Sequence, residues 1–459
     1  MNERMERLWF NPRLKKCYHL GSLDFPPLTP ANTMPQIVVS IVTILIVLHV
    51  MLLCAAYAVM AERKISAWIQ DRIGPNRTNL SFGILPFKSF QWGMGQALAD
   101  GAKMMLKEDY NPPYVNKNLF MLAPILTAVP ALIGWAVIPW GGYLACEGFT
   151  FWSWLPFIGG QDVQPFTALV AAAPISVGIV YILAIGSVAV YGVVVAGYAS
   201  NNKYSFLGGL RATAQMLSYE IPMGLTVLTI LLMVGSLRAD MIANVQAQNT
   251  WFIFQQPLLA IIFYTCILAE CNRAPFDLAE AEQELVGGFH TEYSSMKLGL
   301  LLLGEYLHLM TGSAFFALLF LGGWDLLPFV DELPLAGGLG LVLLKCAIFG
   351  FKIFVLVCIA MWVRWTLPRF RFDQLMQLAW RSLIPITLTL LLLTGLLTAL
   401  KPEHVAPQTW NWTMLGANAL TVVLILVVGP MLPKGPAVNR RIGLEGSRFS
   451  PPVSQEVVG

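Results

Sequence analysis

Nine predominantly apolar segments, most of them near the roughly 20 residues that let an α-helix cross a bilayer core, dominate this chain of 459 residues. They lie at Ile37–Met60, Leu119–Trp140, Pro174–Tyr198, Ala214–Ser236, Gln256–Glu270, Lys297–Trp324, Gly337–Trp365, Ala379–Leu400 and Trp412–Leu432. The fifth is short, and Pro174 and Pro222 are positioned to begin or kink a helix rather than abolish it. Only 12% of the residues are charged and 56% are hydrophobic, whereas a soluble domain carries about 25% charged residues. Hydrocarbon offers no partner for an open backbone group, so each segment must satisfy its own hydrogen bonds as a helix. The expected fold is therefore an all-α integral membrane protein with about nine transmembrane helices.

The charges then orient the chain, because cytoplasmic loops are enriched in Lys and Arg. Of the 29 Lys and Arg residues, 20 lie in or beside the loops that follow spans one, three, five, seven and nine. The alternate loops hold only Arg238 and Lys401. Residues 61–118, 199–213, 271–296 and 366–378 are thus expected on the cytoplasmic side of a multi-pass membrane protein, with the N-terminus outside and the C-terminus inside. Arg4, Arg7, Arg13, Lys15 and Lys16 before the first span run against this rule. Either that tail is translocated despite its charge, or Met34 is the biological start. No cleavable leader is expected, because no apolar core ending in small residues precedes Met34.

Several chemistries are excluded by spacing. The 7 cysteines form no CxxC pair and the 5 histidines form no HxxxH pair, so no iron–sulfur or zinc ligand set is present. There is no glycine-rich nucleotide loop, and a net charge of +3 is too dispersed for nucleic acid. Any redox cofactor belongs to other chains. No internal repeat of the kind that builds many secondary transporters is apparent.

Polar residues are instead concentrated in four segments on one predicted side. The first holds Glu62, Arg63, Asp71, Arg72 and Arg77, followed by Ala99–Glu108, whose apolar and charged residues alternate at helical spacing as in an amphipathic interfacial helix. The second runs from Tyr191 through Asn201 and Asn202 to Glu220, which lies inside an apolar span. An ionisable group there costs about 2.5–3.5 kcal/mol on insertion scales and must face protein or water; it is either a paired structural carboxylate or a proton carrier. The third is Glu270, Arg273, Phe276, Asp277, Glu280, Glu282 and Glu284, then His290 and Glu292. A helix starting at Pro275 would put Asp277, Glu280 and Glu284 on one face. Compensation of the helix dipole explains Asp277 better than Glu284, and clustered carboxylates raise one another's proton affinity. The fourth is the basic hairpin Arg364–Met376, which equally suits a headgroup anchor. Glu305, Lys345 and Lys352 lie within spans, where buried ionisable groups mark polar paths.

Together the Ala61-Glu62-Arg63-Lys64, Gly74-Pro75-Asn76-Arg77, Ser218-Tyr219-Glu220, Asn272-Arg273-Ala274-Pro275-Phe276-Asp277, Phe289-His290-Thr291-Glu292-Tyr293-Ser294 and Leu367-Pro368-Arg369-Phe370-Arg371 motifs resemble the H-subunit family of bacterial NADH:quinone oxidoreductase, the mitochondrial NADH dehydrogenase subunit 1. The resemblance covers about residues 37–400, eight spans, and leaves residues 1–36 as an N-terminal extension and 401–459 as a C-terminal extension with a ninth helix. It implies a subunit of respiratory complex I in the bacterial inner membrane, an enzyme only as part of that assembly. Such a subunit binds no redox cofactor itself; FMN and iron–sulfur clusters sit on partner subunits, and quinone is the substrate.

By the same resemblance Glu62, Arg63, Asp71, Arg72, Arg77, Arg273 and Phe276 belong to the quinone chamber. Glu220, Glu270, Asp277, Glu280, Glu282, Glu284, Glu305 and Lys352 belong to a proton path coupling quinone reduction to translocation. The expected partners are the peripheral quinone-site and terminal iron–sulfur subunits, membrane-arm subunits, quinone and lipid, with no nucleic acid. Three departures stand out: a longer stretch over Thr78–Ala97, no Asp or Glu between Asp162 and Glu220, and the ninth span. The alternatives are the homologous subunit of an energy-converting hydrogenase or of a ferredoxin- or F420-linked dehydrogenase, an autonomous proton or cation transporter, and a structural anchor.

Overall fold

The computed structural model describes residues 33–76, 78, 93–146, 149–151, 161–163, 166–278, 285–326, 334, 336–400 and 407–428. Its helices are α1 (Thr33–Ile69), α2 (Gln96–Leu106), α3 (Lys117–Ile133), α4 (Gly178–Ala199), α5 (Lys203–Val234), α6 (Ala239–Gln248), α7 (Phe252–Gln255), α8 (Pro257–Glu270), α9 (Ser295–Phe320), α10 (Leu339–Thr366), α11 (Phe372–Gln377), α12 (Ile384–Leu400) and α13 (Pro407–Val428). Among the described residues, seven helical segments are long and apolar enough to cross a membrane: α1, α3, α4, α5, α9, α10 and the continuous run from α11 to α12. The short fifth span is the 14-residue α8, and the ninth is the 22-residue α13; neither belongs to those seven.

Local sequence accounts for the element ends. Asn202 caps α5 by accepting a hydrogen bond from the Tyr204 amide on its side chain, as N-cap residues do. Gly235 ends the same helix at φ 72°, a left-handed conformation that favours a residue without Cβ. Pro257 opens α8, where its missing N–H costs nothing. Between α11 and α12 a π-turn over Leu378–Leu383 widens the helix and directs the Trp380 indole to donate to the Ser218 hydroxyl on α5 at 3.2 Å.

The bundle is centred on α9. In its most apolar stretch 61% of residues are buried, against 11% for α1, so α1 presents most of its surface outward. One end is closed by short strands absent from the sequence reading: β1 (Tyr143–Cys146), β2 (Phe149–Phe151), β3 (Gln161–Val163), β4 (Phe166–Leu169) and β5 (Ala336–Gly337). Strand β1 pairs antiparallel with β4 and parallel with β5, while β2 pairs with β3. Gln36 at the start of α1 exchanges hydrogen bonds with the Leu169 backbone at 3.0 Å in both directions. At the same end Asp240 of α6 is buried, accepting from the Tyr143 hydroxyl at 2.6 Å and from Arg238 at 2.8 Å.

The appended α13 is docked through polar groups. Asn418, buried, donates to the Gln255 carbonyl at 3.1 Å and to the Gln256 side chain at 2.7 Å. The Gln255 amide in turn donates to Asn411 at 2.9 Å.

The helix expected from Pro275 does not form over Pro275–Leu278, which turns at Pro275 and Phe276 and is irregular at Asp277 and Leu278. Its backbone is used in tertiary bonds instead: the Phe370 amide donates to the Pro275 carbonyl at 3.1 Å, and the Gln215 side chain donates to the Phe276 carbonyl at 2.7 Å. Glu280, Glu282, Glu284 and Arg77 lie outside the described residues.

Candidate functional site: a buried ionic node and a carboxylate series

The four polar segments converge at the end of the bundle opposite the strands. Their centre is Glu62, near the end of α1 and 5% exposed. It accepts from Arg273 at 2.5 Å, from Arg364 at 2.6 Å and from the Tyr306 hydroxyl at 2.7 Å. Four elements thus meet at one carboxylate: α1, the loop after α8, α9 and the end of α10. The Arg273 guanidinium also lies 3.9 Å over the Tyr306 ring, a favourable cation–π geometry. Burial works against charge on Arg273, but Glu62, with Tyr306 and Glu305, outweighs it and holds the guanidinium above the ordinary arginine pKa.

Around this node the loop after α8 is held on three sides. Asp277 accepts from Arg369 of the basic hairpin at 2.9 Å. Phe276 is buried and lies 5.6 Å from the Phe370 ring and 5.7 Å from Tyr219. From α5, the fully buried Gln215 donates to the Ala269 carbonyl at 2.8 Å and to the Asn272 side chain at 3.3 Å. The basic hairpin is therefore part of the site and not only a headgroup anchor.

The outer residues of the first segment are arranged differently. Arg63 pairs with Asp100 of α2 at 2.8 Å, with side chains 48% and 29% exposed. Such an open pair contributes about 0–1 kcal/mol, so it orients α2 more than it stabilises the fold. Asp71 and Arg72 are exposed, and Arg72 donates to the neighbouring Gln70 side chain. Helix α2 has no buried residue and is tied to the start of α9 by the Ser295 hydroxyl, which donates to the Met104 and Lys107 carbonyls at 3.0 Å.

Inward from the node runs a series of carboxylates. Glu305 lies within electrostatic reach of Arg273. Glu270 ends α8 and lies within electrostatic reach of Glu220 on α5. Glu270 and Glu305 line one cavity together with His308 and Thr127. The structure thus brings Glu62, Arg273, Glu305, Glu270 and Glu220 into one continuous region.

Lys352 is not part of this region. Its ammonium donates to the Leu321, Gly323 and Asp325 carbonyls at 2.5, 3.1 and 2.5 Å and lies 4.2 Å over the Trp251 ring. It caps the far end of α9, about 24 Å from Glu305 at 1.5 Å per residue. Lys345, which is buried, donates to the Pro334 carbonyl at 2.7 Å.

Sequence reading did not single out Gln215, Tyr306 or His308, although a Gln in an apolar span and a Tyr following an intramembrane Glu are signals of the same kind as Glu220. Among the described residues no group of three or more His, Cys, Asp or Glu could hold a metal ion.

Fold and site define the class: a multi-pass helical membrane protein whose polar chemistry gathers at one end of the bundle and continues inward along half-buried carboxylates. The sequence profile described as NADH dehydrogenase matches residues 42–395. The chain is 43% identical over 349 residues to the NADH-quinone oxidoreductase H subunit 1 of Cytophaga hutchinsonii, covering 76% of this chain and 93% of that protein. It is 44% identical over 366 residues to the corresponding H subunit of Leptospira biflexa, covering 78% and 94%. Against the H subunit 1 of Geobacter sulfurreducens it is 42% identical over 359 residues, covering 78% and 94%. The chain belongs to the NADH dehydrogenase family, in the branch formed by the H subunits of NADH-quinone oxidoreductase. Helix α13 lies beyond the residues that the profile matches.

Proposed function

We propose that this chain, a membrane subunit of the proton-translocating NADH:quinone oxidoreductase, forms part of the quinone chamber and passes the charge change of quinone reduction into a proton path. The observation that carries this reading is the Glu62 node, where the first segment, the loop after α8, α9 and α10 share one buried carboxylate. Any movement or charge change felt by Arg273 reaches both Glu62 and Glu305. Unit charges 4 Å apart interact by about 4 kcal/mol at an effective dielectric of 20, enough to redistribute protons along neighbouring carboxylates.

In this reading Glu62, Arg63, Asp71, Arg72, Arg77, Arg273 and Phe276 line the chamber and its entrance. Glu220, Glu270, Glu305, Asp277, Glu280, Glu282 and Glu284 carry or steer protons. Electrons travel through partner subunits holding FMN and iron–sulfur clusters, and the peripheral quinone-site and terminal iron–sulfur subunits dock over the end that carries the node. That end faces the cytoplasm of a bacterial inner membrane, with the N-terminus outside and the C-terminus inside, as the distribution of Lys and Arg directs. The contacts of Lys352 favour a structural role at the end of α9 over a place in the path.

The test is Glu220→Gln in the assembled enzyme, reconstituted into vesicles. Quinone-linked turnover and proton uptake should both fall, while NADH still reduces a water-soluble acceptor. Full coupled activity at a normal level of assembly would remove Glu220 from the path.

A further inference from the structure

Two adjoining cavities of about 20 and 40 Å³ lie inside the bundle. A water needs a space of at least about 10–15 Å³ and polar partners, so each has room for one or more. The first is lined on one side by Glu305 and Asn272 and reaches toward the ionic node. The second extends the other way, past Gly186, Gly134 and Thr311. Both share Glu270, Cys271 and His308. His308 therefore stands where one cavity gives way to the other.

His308 is half-buried, and its Nε2 atom is buried with no hydrogen-bond partner among the described residues. A buried ring nitrogen without a partner is costly, about 1–3 kcal/mol, and a water in either cavity would satisfy it. His308 follows Glu305 by three residues on α9, which puts the two side chains on the same face one turn apart. Helix α4 forms the facing wall and holds no Asp or Glu, so the second cavity receives no carboxylate from it. Gly186 of α4 is adjacent to the Glu270 carboxylate, where an added Cβ would lie 3.4 Å from its oxygen.

We infer that His308 is a proton relay, passing protons through cavity water between Glu305 and Glu270 and on into the second cavity, a role that rests on the proton-path reading above. A carboxylic acid at Glu305 gives its proton by way of water to one ring nitrogen. The imidazolium releases a proton from the other nitrogen, and the ring returns to its neutral form; no carbon bond changes and no electron moves. Imidazole suits this step because its two ring nitrogens are distinct and serve in turn as acceptor and donor.

The experiment uses the whole complex in vesicles with His308→Gln and His308→Leu beside Glu270→Gln. A positioned proton carrier contributes about 10²–10⁴-fold, and bypass through water reduces the penalty. Quinone turnover and proton uptake are therefore expected to fall at least about tenfold in both His308 variants, with a larger solvent deuterium isotope effect. Reduction of a water-soluble acceptor by NADH reports assembly. Glutamine can hold water but cannot relay a proton in this way, so full turnover in His308→Gln overturns the inference even if His308→Leu fails to assemble. Intact His308 variants beside an impaired Glu270→Gln reject the relay and leave the proton path standing. Full activity in all three rejects both.

Discussion

Replacing Arg273 by Met removes one of two guanidinium groups from a carboxylate that has almost no access to solvent. Glu62 is 5% exposed and Arg273 4%, so the lost partner is not replaced by water. Breaking a buried pair by deleting one member costs about 3–5 kcal/mol. Glu62 keeps Arg364 at 2.6 Å and Tyr306 at 2.7 Å, which places the cost toward the lower end, about 3 kcal/mol. Expressed fully in the unfolding rate that is on the order of a hundredfold, and half expressed about tenfold.

The assay is the half-life of the solubilised complex at one elevated temperature, because irreversible loss of a membrane assembly is a rate and not an equilibrium. Arg273→Met should shorten it by at least about tenfold. Arg63→Met, which breaks the open pair with Asp100, should change it by less than about fivefold. Combining Glu62→Gln with Arg273→Met removes the buried charge that has lost one of its two guanidinium partners and leaves Arg364, whose side chain is 26% exposed, able to reach solvent. The double variant should outlast Arg273→Met alone. Equal effects of the two arginine changes, or a double variant no longer-lived than the single one, would refute the claim that a desolvated charge is what makes the node costly to break.

Two further outcomes follow from the opposite end of the bundle. Burial, together with the charge of Asp240, holds the Tyr143 hydroxyl above the ordinary phenol range; the unfolded chain ionises first as pH rises, so this residue's contribution is complete below about pH 10 and declines above it. Tyr143→Phe should therefore flatten the alkaline loss of stability, measured as inactivation rate against pH, and an unchanged profile would count against the assignment. Lys352→Met withdraws the donor shared by three carbonyls at the end of α9 and should cost about 1–3 kcal/mol, seen as faster thermal inactivation with the number of protons moved per electron unchanged; a lowered proton ratio in a stable variant would instead return Lys352 to the path.

Much of the architecture is legible from composition and pattern because a bilayer imposes one rule on every residue it contacts. Long apolar runs must be helical, and the runs around α1, α3, α4, α5, α9, α10 and α12 are. Charge clustering likewise singled out segments that the fold brings together: Glu62 meets Arg273 and Arg364, and Asp277 meets Arg369. Local pattern failed where tertiary bonds compete for the backbone. Pro275–Leu278 carries helix-start residues, yet its carbonyls accept from Gln215 and Phe370. The strands around Tyr143 and Phe166 escaped notice because two to four residues carry too little periodicity to distinguish a strand from a loop.

Which charges pair is a matter of three-dimensional proximity. Arg63 and Glu62 are neighbours in the chain, but one side chain is 48% exposed and the other is at the centre of the node. Lys352 and Glu305 look alike as ionisable residues in spans, yet one caps a helix end and the other lines an internal cavity. His308 has no distinguishing motif at all; only the packing of α3, α4, α8 and α9 shows that it divides two cavities. Apolar length and charge asymmetry sum over many residues and survive as one-dimensional signals, so the membrane class, the helices and the polar end could be read directly. The partners of each buried ion depend on which helix faces which, and packing alone decides that.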